Sequence, residues 1–169
     1  TLNAFKAHEI NVLECWEKPF SFQIGECTTA AGEKAITSLT AAVHALKNDR
    51  IDVLVTAPIN KQNIQSEDFK FPGHTNYIAS ELNEEALMFM VHDNIKVGLI
   101  TDHVPLKDVS ETITYQLIEK KALKIKSSLI EDFNIPKPKI AVLSINPHVG
   151  DNGVIGNEDQ KILIPALEK

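Results

Sequence analysis

Two apolar runs, Lys96–Thr101 and Lys139–Asn146, each stop at a loop that carries a histidine, His103 in one and His148 in the other. Both are short and rich in Val, Ile and Leu, the pattern of a buried strand. Helical periodicity alternates with them. Ala35, Ile36, Leu39 and Val43 share one face over about 32–48, and Val109, Ile113, Leu117, Ile125 and Leu129 share another over about 108–133. Asp52–Thr56 adds a further apolar run, short enough for a central strand. Helices alternating with buried strands predict an α/β protein whose mixed sheet is flanked by helices. Open α/β sheets keep their ligands where strands end, and both histidines fall there.

The rest of the pattern is consistent with that frame. Phe20, Phe22 and Ile24 alternate with Ser21, Gln23 and Gly25, which predicts a half-buried edge strand. Ala86–Val91 and Lys96–Thr101 flank His92-Asp93-Asn94 closely enough for an antiparallel hairpin. Ile135-Pro136-Lys137-Pro138 reads as a stiff linker. Gly150, Gly153 and Gly156 recur every third residue, a spacing that does not match the dinucleotide fingerprint.

Charge and composition exclude some functions. A formal net charge of -6 leaves no basic face for a phosphate backbone, so nucleic acid is not expected as a partner. No apolar run approaches the length of a membrane span, so no membrane partner is expected either. Cys15 and Cys27 form no CxxC and have no metal-ligand spacing, which fits reduced thiols in a soluble cytoplasmic protein.

Three loops carry the candidate chemistry. A neutral imidazole offers a lone pair at physiological pH, so two histidines aimed from neighbouring strand ends, His103 and His148, can share one divalent ion. The alternative is that each caps its loop by hydrogen bonding. The third loop, Phe71-Pro72-Gly73-His74-Thr75, precedes a short helix expected over Asn76–Leu82. A helix start presents free N–H groups, so His74 and Thr75 suit a phosphate or carboxylate, with a plain N-cap at Thr75 as the competing reading. Lys61, at the exit of the 52–56 run, can hold an anion or be a surface lysine.

Taken together these segments resemble the 4-hydroxythreonine-4-phosphate dehydrogenase family, the PdxA family of pyridoxal phosphate biosynthesis. The matching text is Leu54-Val55-Thr56-Ala57-Pro58 with Lys61, then Phe71-Pro72-Gly73-His74-Thr75, then Thr101-Asp102-His103-Val104-Pro105-Leu106. Asn146-Pro147-His148-Val149-Gly150 completes it, leading to Gly153, Gly156 and Glu158. The resemblance implies that His74 and Thr75 contact a phosphorylated substrate and that His103 and His148 coordinate a divalent ion (Zn, Mg or Co). It implies NAD as hydride acceptor, and a homodimer with a metal site shared between subunits.

The same resemblance implies a fold similar to isocitrate and isopropylmalate dehydrogenases, two α/β lobes with a cleft. Residues 1–50 then belong to the first lobe and residues 51–169 to the central, dimerising lobe. Members of the family are about twice this length, and their third metal histidine and further substrate contacts match no position here. The chain thus corresponds to a middle piece, expected to bind metal weakly and to turn over little. Two positions depart from the family: Asp102 stands where it often has Thr, and Val154 where many members have His. The activity implied is NAD-dependent oxidation of 4-phosphooxy-L-threonine with loss of carbon dioxide. The alternatives are a related phosphorylated hydroxy acid, such as 4-phosphothreonate or 4-phosphoerythronate, or a non-catalytic dimerisation module.

Overall fold

Thr28 opens the first helix, α1 (Thr29–Lys47): its hydroxyl accepts the Ala31 N–H at 3.3 Å, satisfying one of the donors a helix start leaves free. The computed structural model describes residues 6–168, in two compact units that divide between Ala86 and Leu87.

In the first unit the apolar face of α1 meets residues from well beyond it in the chain. Leu39 and Val43 are buried together with Ile64, Phe69 and Tyr77, and Leu54, Ile59 and Phe71 pack around them. Burying one such aliphatic side chain is worth about 1.5–3 kcal/mol, so this small cluster is what holds the unit. Phe69, Phe71 and Tyr77 form an aromatic triangle with ring centroids 5.0–5.3 Å apart. The Tyr77 hydroxyl donates to Thr40 Oγ1 at 3.1 Å, which ties the second helix, α2 (His74–Leu82), to α1. At Gly32 a Cβ would run into the backbone carbonyl of Asn63, while Asn63 Nδ2 donates to Thr28 O at 3.0 Å. The turn at 60–64 is thereby fastened to the start of α1.

The second unit begins with the hairpin. β1 (Phe89–His92) pairs antiparallel with β2 (Ile95–Gly98) in the register Phe89 opposite Gly98 and His92 opposite Ile95. A Cβ at Gly98 would collide with the Ile125 side chain, so the hairpin lies against the helix that bears Ile125. That helix, α4 (Tyr115–Glu131), is separate from α3 (Val109–Thr112), which follows a 3₁₀ turn at Leu106–Asp108. The single long helix expected over 108–133 is therefore broken. Ile113 turns extended and Thr114 caps a new start, its hydroxyl accepting the Leu117 N–H at 3.2 Å. Apolar spacing continues across the break because Ile113, at the break itself, packs on the same core as α4, where Ile118, Leu163 and Ala166 are buried. The chain ends in a π-helical turn (Asp159–Leu163) running into α5 (Ile164–Leu167).

The sheet differs from expectation. Among the described residues it has two strands, both antiparallel, and no mixed sheet forms. The segments 20–24, 52–56 and 139–146 carry strand-like sequence but are not strands. Some of their apolar side chains pack on a core, as Leu54 and Ile145 do, but others stand in solvent: Ile24 is 95% exposed, Val55 88% and Leu143 88%. A strand is made by its neighbours' hydrogen bonds, and a β-competent run without a partner in register has none to make.

Candidate functional site

His148 lies in a loop whose backbone few side chains adopt. His148, Val149, Gly150, Asp151 and Asn152 have φ of 53, 56, 78, 45 and 52° in succession, a left-handed run inside the turn Pro147–Gly153. Each L-residue in that region costs roughly 1–2 kcal/mol, and a β-branched residue such as Val149 is an outlier there. Such strain persists only where surrounding contacts impose it.

The contacts come from the start of the C-terminal helical segment. Asp159, fully buried, accepts the Ile145 N–H at 2.8 Å and the Asn146 N–H at 2.9 Å, one on each carboxylate oxygen. Glu158 accepts from the Asn146 side-chain amide at 2.7 Å, and Gln160 donates to the Val149 carbonyl at 2.7 Å. At Gly150 a Cβ would strike the Gly156 carbonyl, so the loop lies directly on the chain that leads into Glu158, Asp159 and Gln160. Burial pushes the Asp159 carboxyl up, but the amides of Asn146 and Ile145 outweigh it and hold the group below its ordinary pKa. Glu158 is also held low, chiefly by the Asn146 amide. The His148 side chain is exposed.

His103 is left-handed too, with φ of 52°. Its Nδ1 lies 3.4 Å from Asp102 Oδ1, a long contact, with the ring 60% exposed. In the tautomer that carries its proton on Nδ1, this contact is a hydrogen bond to the carboxylate and the Nε2 lone pair is left for a ligand, as in many metal-binding imidazoles. Several other left-handed residues have ordinary reasons. Asp49, Asn83 and Asn134 follow helix ends, and Asp93 sits in the hairpin turn. His103 and His148 have neither reason, and nor does His8, which lies in a turn with φ of 65°.

In the first unit α2 begins two residues earlier than expected. Its cap is Gly73, in extended backbone and with no side-chain cap bond, so Thr75 lies inside the first turn and is not the N-cap. The first bond of the helix is Tyr77 N–H to Gly73 O at 3.4 Å, which leaves the amides of His74, Thr75 and Asn76 ahead of it. His74 is half-buried and Thr75 exposed. The Lys61 stem passes close by, its Cε 3.8 Å from where a Gly73 Cβ would sit. Gln65 Nε2 bridges Lys61 O and Phe71 O at 3.2 and 2.9 Å, holding the two segments at that spacing. Free amides at a helix start with a lysine stem alongside suit an anion.

As donors, two exposed imidazoles fit a borderline divalent ion, but not as a complete set. Among the described residues no three His, Cys, Asp or Glu side chains converge as metal ligands. Asp159 and Gln160 were not singled out by sequence reasoning. The available signal was an Asp at the start of an apolar helical run, which ordinarily denotes a cap.

Comparison with known proteins covers nearly the whole chain. The family described as pyridoxal phosphate biosynthetic protein PdxA matches residues 2–169. The 4-hydroxythreonine-4-phosphate dehydrogenase of Bacteroides thetaiotaomicron is 40% identical over 164 residues, 96% of this chain and 45% of that protein. The enzyme of the same name from Sulfurihydrogenibium is 41% identical over 147 residues, covering 86% of this chain and 46% of the relative. Among solved structures, 4-hydroxythreonine-4-phosphate dehydrogenase from Klebsiella pneumoniae superposes with a TM-score of 0.78 at 28% identity, over 87% of this chain and 44% of that one. The chain thus spans less than half the length of the relatives it matches.

Proposed function

This chain belongs to the PdxA family, and from that premise we propose that it serves NAD-dependent, divalent-metal-assisted oxidation of 4-phosphooxy-L-threonine, followed by decarboxylation, in pyridoxal phosphate biosynthesis. The observation that carries the reading is the family match over residues 2–169, a span that holds His103 and His148, the two histidines that the resemblance names as ligands. The fold in this reading is the two-lobed one of isocitrate and isopropylmalate dehydrogenases. Residues 1–50 belong to the first lobe and 51–169 to the central lobe of a homodimer.

The chemistry removes a hydride and a proton from a secondary alcohol. The hydride goes to nicotinamide, and the β-keto acid so formed loses carbon dioxide. A divalent ion, when bound, supplies Lewis-acid stabilisation of negative charge at the reacting oxygen. The part played by this chain is to hold and orient. His103 and His148 would supply two of the ion's ligands, with Asp102 steadying the His103 ring. Catalytic sites ordinarily take three protein ligands, so two predict weak binding by the isolated chain. His74 and Thr75, with the free amides of the α2 start, would hold the substrate phosphate away from the reacting carbon. No residue of this chain is assigned as proton acceptor.

Asp102, beside His103, favours keeping a second substrate in view. It stands where the family often has Thr, and a related phosphorylated hydroxy acid, 4-phosphothreonate or 4-phosphoerythronate, is that second reading. Cobalt(II) titration of the chain and of His103→Ala and His148→Ala tests the ligand assignment. Each substitution should weaken binding about tenfold or more, and three indistinguishable titrations would remove the metal role. A protein of full family length assayed with the three phosphorylated acids separates the substrates by kcat/KM.

A further inference from the structure

We infer that Glu158, Asp159 and Gln160 act as positioning residues that set the aim of the His148 imidazole. The inference rests on the proposed ligand role of His148 and adds a device to it.

Three consecutive residues reach back to the two sides of one histidine. Asp159 grips the Ile145 and Asn146 amides, and Glu158 grips the Asn146 side chain, so the approach to His148 is held on its N-terminal side. Gln160 holds the Val149 carbonyl on its C-terminal side. None of the four bonds goes to His148 itself, whose ring stays exposed. A loop in five successive left-handed conformations relaxes toward ordinary backbone if its supports are removed, and the ring direction changes with it. A metal ligand must be held to within about 0.5 Å and 10–20° to be useful, which flanking contacts on both sides can achieve. The buried Asp159 anchors the segment, while the exposed Gln160 can be removed without opening the core.

The test is a set of cobalt(II) titrations of the chain carrying Gln160→Ala, Asp159→Asn, His148→Ala and the double variant Gln160→Ala/His148→Ala. Thermal unfolding and amide exchange are recorded without metal. Gln160→Ala should weaken cobalt binding about tenfold at an unchanged melting temperature, the size of effect typical of groups that orient a metal ligand without touching the metal. In the His148→Ala background it should add nothing, because a positioning residue acts only through the group it positions. Asp159→Asn should weaken binding as well and speed exchange of the Ile145 and Asn146 amides. If Gln160→Ala binds cobalt like the parent while His148→Ala does not, or if the two losses simply add, the clamp is overturned and the ligand reading stands. If His148→Ala binds like the parent, the ligand reading itself falls and takes the clamp with it. Should Asp159→Asn fail to fold, the Gln160 cycle still decides.

Discussion

The loop before α2 and the loop after residue 146 are built in opposite ways. At α2 the backbone enters through an extended glycine, and the first-turn amides are left without a side-chain cap. Around His148 the backbone is left-handed for five residues, the amides ahead of it are taken up by Asp159, and a ring is left outward. The first arrangement offers donors, which an anion needs. The second offers a lone pair, which a cation needs. In the proposed function the two loops would serve opposite charges, the one with its backbone donors left free and the other with them consumed.

The sharpest way to break this comparison is one methyl group in each loop. Gly150→Ala places a Cβ at a φ of +78° and against the Gly156 carbonyl, so it should destabilise the second unit by about 2–4 kcal/mol in urea denaturation. A loss below about 1 kcal/mol would mean that the left-handed loop is not tightly held.

Acid should separate the loops next. Asp159 and Glu158 both have depressed pKa values, so their contribution is complete above the unfolded-state carboxylate range and is lost as pH falls through their lower folded values. Protection factors of the Ile145 and Asn146 amides should fall below about pH 4, while those inside α2 stay level. Equal loss in both places would show global acid unfolding instead.

A smaller effect is expected where α2 is tied down. Tyr77→Phe removes the bond to Thr40 but keeps the buried ring, costing about 1 kcal/mol and leaving cobalt binding unchanged. The smallest is Gly73→Ala. Its φ of 165° is open to any residue and its nearest new neighbour is the flexible Lys61 stem at 3.8 Å, so stability should stay within about 0.5 kcal/mol. A large cost there would show that the α2 start also needs a glycine backbone.

Much of the local structure was legible in the residues. The α1 stripe through Leu39 and Val43 is the buried face, and the hairpin turns at Asp93-Asn94 where the spacing of its apolar runs required. Other features were not legible because periodicity reports which face is buried and not what divides an element. The stripe through Ile113 and Leu117 passes a break that only the Thr114 cap reveals. The start of α2 was misread because Thr75 is a good cap residue, while the extended conformation at Gly73 let the helix begin sooner. Ile24, Val55 and Leu143 looked like strand interiors, yet a strand also depends on hydrogen bonds from another segment.

By itself the order of residues determined the helical faces, the hairpin, the placing of His103 and His148 just past apolar runs, and the family to which the chain belongs. These are short-range properties, set by side-chain size, polarity and spacing. The tertiary structure alone decided that Asp159 turns back to the amides of residues 145 and 146, and that Gly150 has room for no side chain. It also decided that three strand-like runs stay unpaired among the described residues. Those depend on which distant groups meet, and a buried carboxylate finds its donors through the fold and not through its neighbours in the chain.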